Sequence, residues 1–265
     1  RALRRSGVAL YNFYPDTSAF AHGALLAESL PEYDCVFYTK RFWVDDVLRQ
    51  ITLRRSEFLQ HGYDPEVHHP WKLEERDVRQ YRHDVTVVAT HTAHKERVLA
   101  DLVRRMPGLD LRIWGNLWEN CRAGELRPHI AGRALLGGSY AKAIGASAIN
   151  LAIMSGQVEG SSRGDETTTR TYEIPACGGF MLHERSGELL ELFEEGREVA
   201  CFGSGDELAD KIQHYLAHPE ERRAIARAGH ERCVPAYSYD NRMAEIVRRH
   251  LARGPGEPLA RAAVA

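Results

Sequence analysis

No apolar run in this chain of 265 residues approaches the ~20 residues needed to cross a bilayer, so no transmembrane segment is expected. Arg1-Ala2-Leu3-Arg4-Arg5 leads into a short strand-like run and lacks the apolar centre of a secretory signal. Cysteine is sparse: five residues, at 35, 121, 177, 201 and 233, odd in number and without a C-x-x-C pair. That suits buried, reduced thiols and a cytoplasmic location better than a disulfide framework or a zinc site. Neither sign of charge dominates, with 35 basic against 37 acidic residues and a net charge of −2. The basic pairs Arg54-Arg55, Arg104-Arg105 and Arg248-Arg249 are dispersed among acids, so no stripe for nucleic acid is present. No short-period repeat is found. The sequence opens without methionine inside an alternating pattern, and the expectation is that the native start lies further upstream.

What is present is an ordinary globular composition, 43% apolar and 27% charged, long enough for one large domain or two smaller ones. Short apolar runs alternate with helical patterns, the signature of βαβ units and a parallel sheet. Strands are expected over Val8 to Tyr11 and Cys35 to Tyr38. Helices are expected from Asp16 or Thr17 to about Leu30, with Ala19, Phe20, Leu25 and Leu26 on the apolar face, and from Arg41 to Ile51. The polar stretch His61 to His83, with Pro65 and Pro70, reads as a linker. A second alternation follows: strand Asp84 to Ala89, helix His94 to Met106, strand Leu109 to Trp114, a glycine-rich stretch Gly132 to Gly138 before a helix around Tyr140, and strand Ala148 to Ile153. Further on come a strand over Glu198 to Phe202 and helices over Asp206 to Ala217, Glu220 to Cys233 and about Tyr239 to Ala252, before a Gly/Pro tail.

The densest information lies in Thr169-Arg170-Thr171-Tyr172-Glu173-Ile174-Pro175-Ala176-Cys177-Gly178-Gly179-Phe180-Met181-Leu182. It reads as a short helix opened by threonines, stopped by paired glycines and followed by an apolar run. Asp165 stands eight positions before Glu173, an acid-x7-acid spacing. Pro175 falls inside the helix and cannot donate to its ladder, so the helix either begins late or bends. Supporting segments are Ala148 to Leu151, Glu191 to Glu198, Phe202 to Ile212 and Gly62 to Pro70.

On these segments the chain resembles CgeB-like glycosyltransferases, of the GT-B superfamily and related to the retaining group 1 families, over roughly Asp34 to Leu251. The resemblance implies an α/β, GT-B-like fold of two Rossmann-like units with parallel sheets, the N-terminal one apparently incomplete. Residues 1–70 would be a partial acceptor-side unit, 71–83 a linker, 84–236 the nucleotide-sugar-binding domain, 237–252 a crossing helix and 253–265 a disordered tail. It implies that Glu173 holds the donor ribose hydroxyls, for which a carboxylate accepting from two neighbours is well suited. Asp165 takes the place of the acid that faces the transferred sugar. Arg170 and the amides of Thr169, Thr171 and Tyr172 would face the diphosphate. Lys95 and Arg97, on the first loop with Thr90, would neutralise the leaving group, and Asn116 would line the base or ribose.

Plainer readings stand beside these. Asp165 reads equally as a solvated loop acid or a cap, Lys95 and Arg97 as solvent-facing first-turn residues, and Asn116 as a turn residue. Asp16 is the one nameable base for an inverting reaction and reads more simply as a helix cap. His91 and His94, with His68, His69 and His83, lack an acid or cysteine at ligand spacing, so no metal site is expected. The expected activity is metal-independent transfer of a sugar from a nucleotide-diphosphate donor to an unidentified acceptor, with retention and with no cofactor. A nucleotide-sugar epimerase and a binding module without catalysis are the alternatives. The sequence leaves the oligomeric state open.

Overall fold

The computed structural model describes residues 7–18 and 23–252. Ala19, Phe20 and the expected tail 253–265 lie outside the described residues. Two compact units divide the chain. The smaller takes its described residues from Arg1–His61, Gly156–Asp165 and Arg242–Ala265, and the larger is built from Gly62–Ser155 and Glu166–Asn241.

In the smaller unit three parallel strands lie in the order β1 (Tyr11–Tyr14), β2 (Cys35–Tyr38), β3 (Ser56–Phe58), with Tyr11 opposite Cys35 and Val36 opposite Ser56. Strand β1 runs three residues later than expected; Val8 is exposed, while Tyr14 is buried. Helix α1 spans Ala24–Ser29, part of its expected range lying outside the described residues, and α2 (Trp43–Leu48) is shorter than its sequence pattern. Trp43 and Val47 of α2 pack with Tyr14, Leu30, Val36 and Leu53.

The larger unit carries five parallel strands in the order β5-β4-β6-β7-β8: β4 (Val85–Val88), β5 (Leu111–Trp114), β6 (Ile149–Ala152), β7 (Met181–Glu184) and β8 (Ala200–Phe202). Alternate residues feed two cores, because the sheet is covered on both faces. Val85, Val87, Ile113 and Leu151 pack with α4 (Ala93–Arg105), α8 (Gly205–Ala217) and Ile225 of α9 (Pro219–Cys233). Val88, Trp114 and Ala152 pack with α5 (Gly138–Ala146), α6 (Arg170–Ala176) and α7 (Gly187–Leu192).

The expected linker is not one. Residues 71–83 contain α3 (Glu75–Tyr81), opened by a capping box between Glu74 and Asp77 and tied down by Lys142, whose Nζ lies 2.9 Å from Asp77. Tyr63 is bound into the larger unit too: its N–H donates to Tyr237 O (3.2 Å) and its carbonyl accepts from Tyr239 N–H (2.9 Å). Helix α10 (Tyr239–Leu251) begins in the larger unit and from Arg242 belongs to the smaller. There Arg249 pairs with Glu57 at 2.7 Å, and Arg242 Nε donates to His61 O. No disulfide joins the five cysteines, and no described helix is long and apolar enough to cross a membrane.

Candidate functional site

In the larger unit β4 is the first strand, with β5 on one side and β6 on the other. The direction of winding reverses there, and the carboxyl ends of such strands frame a crevice. A cleft of about 270 Å³ opens at this place, lined by His68, Thr90, Asn116, Gly137, Tyr140, Thr169, Arg170 and Glu173 among others. A second hollow shares Thr90, Gly115 and Asn116 with it and extends past Trp118 and Arg133. Gly115 makes the turn after β5 possible: its φ is +145°, and a Cβ there would stand 1.9 Å from Ala89 O at the end of β4.

Glu173 and Arg170 reach the cleft because α6 is short and firmly stopped. Gly178, at φ +75°, donates its N–H to Pro175 O, and Gly179 donates to Ile174 O, which together form a Schellman cap. Pro175 sits in the last turn, and its carbonyl also accepts from His230 Nδ1–H at 2.9 Å. The start of α6 is fixed by a polar chain. Thr168 N–H donates to Thr171 Oγ1, which faces His183 Nε2 at 2.9 Å. The His183 Nδ1–H donates to Glu184 O, so Nε2 is the acceptor of the Thr171 hydroxyl. Burial holds the His183 imidazole down at about 4.

Glu173 is mostly enclosed, with its Oε1 3.8 Å from His68 Nε2. His68 Nδ1 accepts from Asp64 N–H at 3.1 Å, which leaves the ring proton on Nε2, facing the carboxylate. Burial lowers the His68 pKa and Glu173 offsets only part of that, so the ring is neutral and its approach to Glu173 is no ion pair. The Tyr140 phenol is pushed well above its ordinary value by burial first and by Glu173 second. Arg170 donates from Nη2 to Ile153 O (3.1 Å), and its buried Nε has no partner among the described residues. Lys95, almost wholly buried in the first turn of α4, donates from Nζ to Ser155 Oγ at 2.9 Å. Two cationic side chains thus meet the segment Ile153–Ser155 that leaves β6.

Of the residues nominated from sequence, Thr90, Asn116, Thr169, Arg170 and Glu173 come together in this cleft. Thr171 and Tyr172 instead turn into the core. The N–H groups of Thr171, Tyr172 and Glu173 already bond to the carbonyls of Thr168 and Thr169. The expectation that amides from Thr169 to Tyr172 face a ligand is therefore narrowed to those of Thr169 and Arg170. Arg97 is exposed on α4 and does not line the cleft. Asp165 belongs to the smaller unit, so the acid-x7-acid pair is divided between units. It forms a buried ion pair with Lys40 at 2.9 Å. Asp16, also in the smaller unit, is exposed and accepts the N–H of Thr17. His91 and His94 are each engaged by a carboxylate, Glu96 at 2.6 Å and Glu184 at 2.9 Å. Sequence reasoning missed His68 and Tyr140 as cleft residues; the glycine-rich run before Tyr140 was the available signal for the second.

A doubly covered parallel sheet with its cleft at the strand carboxyl ends, and a second parallel unit beside it in the chain, are the parts of a GT-B fold. The chain belongs to the glycosyl transferase-like family, whose description matches residues 82–248, more than half its length. It is similar to the spore protein CgeB of Bacillus subtilis (strain 168), 30% identical over 83 residues, which are 31% of this chain and 25% of that protein. The matched part thus spans a quarter of that curated relative. Among solved structures, HepE of Anabaena in complex with UDP-glucose superposes with a TM-score of 0.68 at 12% identity, covering 95% of this chain and 74% of that one. Sucrose-phosphate synthase from Thermosynechococcus elongatus gives 0.60 at 14% identity, with 91% and 68% covered. Both establish the same GT-B fold.

Proposed function

We propose that the larger unit binds a nucleoside-diphosphate sugar and that the protein transfers the sugar, with retention, to an acceptor without a catalytic metal. The observation that carries this is the meeting of Glu173, Arg170, Thr169, Asn116 and Thr90 in one cleft at the switch point of the sheet. Glu173, with the neutral His68 N–H beside it, suits a ribose diol: the carboxylate accepts from two hydroxyls, and the imidazole donates to one of them. Arg170, with its unpartnered Nε, lines the cleft and supplies positive charge where two phosphates would lie, and the buried Lys95 behind Ser155 adds to the local positive field.

In the transfer step the bond between the anomeric carbon and the β-phosphate oxygen breaks, and a bond to the acceptor oxygen forms. The acceptor proton passes to the departing phosphate oxygen. Arg170 binds the leaving diphosphate more tightly as its charge develops, and the field of the buried Lys95 adds to this, which lowers the barrier. They do the work that a divalent cation does in other sites.

HepE was solved with UDP-glucose and with UDP, so uridine diphosphate is the first ligand to try. The test is a thermal-shift screen of UDP, GDP, ADP and TDP, followed by donor hydrolysis. One nucleotide should raise the melting temperature. Glu173→Gln and Arg170→Ala should weaken its binding roughly tenfold or more, as expected for losing a charged hydrogen bond. Arg97→Ala should leave binding unchanged. Wild-type affinity in both Glu173→Gln and Arg170→Ala would remove the reading.

A further inference from the structure

Far along the chain from the cleft residues, at the junction of α8 and α9, three metal-ligating side chains converge. His214 lies in the last turn of α8, His218 follows directly after that helix, and Glu221 lies in the first turn of α9. The two imidazoles stack with centroids 4.1 Å apart at 22°. His214 Nε2 lies 2.8 Å from Glu221 Oε2. The candidate donor atoms of all three residues lie within 4.8 Å of one another. We infer that His214, His218 and Glu221 form a binding site for a divalent transition metal of the zinc class.

Three observations favour a metal over a surface ion pair. His218 Nδ1 lies 2.7 Å from His214 O, and a carbonyl can only accept, so Nδ1 carries the ring proton. The lone pair is then on Nε2. A backbone carbonyl holding the opposite ring nitrogen is the usual support for a metal-bound imidazole, since it fixes both tautomer and orientation. Second, the stacking sets a second imidazole beside the His214–Glu221 pair, so that three donor side chains converge where an ion pair would bring only two. Two imidazoles face to face would repel if both were protonated. A metal takes both rings in their neutral form together with the carboxylate. Third, the donor set is two nitrogens and one oxygen, the borderline set that zinc accepts with water in a fourth position.

The geometry is close to what such an ion needs. Ligands at about 2.0–2.1 Å from one tetrahedral centre stand roughly 3.4 Å from each other. All three side chains are exposed, so solvent gives the ion its path in. The ligands span the bend at which α8 gives way to α9, where His218 adopts φ −120° and ψ 67°. A bound ion would clamp that bend, joining the last turn of one helix to the first turn of the next. The site shares no residue with the donor cleft, and it does not depend on the reading of that cleft.

The test uses the full chain without an affinity tag, because added histidines would compete. Zn²⁺ is titrated by calorimetry and Co²⁺ by visible absorption, against the wild type, His218→Ala and Glu221→Gln. Both substitutions are at exposed positions, and circular dichroism confirms that the variants are folded. The wild type should bind one equivalent of Zn²⁺, give the intense Co²⁺ bands of a tetrahedral or five-coordinate centre, and gain thermal stability with added metal. Each variant should bind roughly tenfold or more weakly and lose the Co²⁺ bands. No binding by the wild type overturns the site. So does binding as tight as the wild type's in both variants, which would place the ion on other histidines.

Discussion

Lowering the pH should weaken the larger unit through the fully buried imidazole of His183, and the size of the effect follows from its surroundings. Burial holds His183 down at about 4, against about 6.5 in an unfolded chain. Between those values the unfolded state takes up a proton that the native state refuses, so unfolding gains as the pH falls. The stabilisation is fully present above the unfolded value and is lost as the pH drops toward 4. Integrating between pH 7 and about pH 4.5 gives a loss of roughly 2–2.5 kcal/mol. Other groups titrate over the same range, so the wild type is compared with His183→Asn, whose amide keeps a donor toward Glu184 O and cannot titrate. Urea unfolding should find the variant less stable at neutral pH, because the Thr171 hydroxyl loses its acceptor. That disadvantage should shrink by roughly 2 kcal/mol at the lower pH. Equal slopes of free energy against urea in both proteins keep the comparison valid. A stability difference that does not change with pH would refute the argument: His183 would then be protonated in the native state or open to water.

Three further outcomes are expected. Gly179→Ala would place a methyl 2.4 Å from Ile144 Cγ2 and 2.8 Å from Asn150 Nδ2; chemical denaturation should show a loss of about 1–3 kcal/mol, the usual cost of overpacking. Ser204 Oγ accepts the N–H of Glu207 and caps α8, so Ser204→Ala should cost about 1 kcal/mol, read as a fall in melting temperature. In the smaller unit, Lys40→Met would leave the Asp165 carboxylate buried opposite an apolar chain and should cost about 3–5 kcal/mol. Lys40→Met with Asp165→Leu should recover most of that loss in the same denaturation experiment. A double variant no better than the single one would mean that the pair is not what holds these side chains.

Long amphipathic elements were legible from sequence. Helices α8, α9 and α10 begin and end within a residue or two of their patterns, because each has a continuous apolar stripe and a polar opposite face. Strand β2 was read to the residue, since Cys35-Val36-Phe37-Tyr38 is an unbroken apolar run. Strand β3 was not seen: Ser56-Glu57-Phe58 is three half-buried residues with no period to detect. Helix α7 begins on a glycine and lasts six residues. Helix α3 hid in a charged stretch because its stability rests on the Glu74–Asp77 capping box and on Lys142, which lies far along the chain. In the cleft, Glu173 and Arg170 were legible because one short helix carries both. His68 and Tyr140 were not, since their relation to Glu173 is made by folding across long separations in sequence. The placing of Asp165 in the smaller unit follows from Lys40, which no local pattern joins to it.

The polypeptide passes between its two units four times, after His61, Ser155, Asp165 and Asn241. The smaller unit is therefore stitched from three separate stretches, and no single scissile point releases it whole. Shortening the protein at residue 61 or at residue 241 takes away part of that unit, and the cut at 61 also leaves Asp165 without Lys40. A cut at either point breaks the smaller unit, and isolating the larger one calls for removing the two flanking stretches and the excursion together.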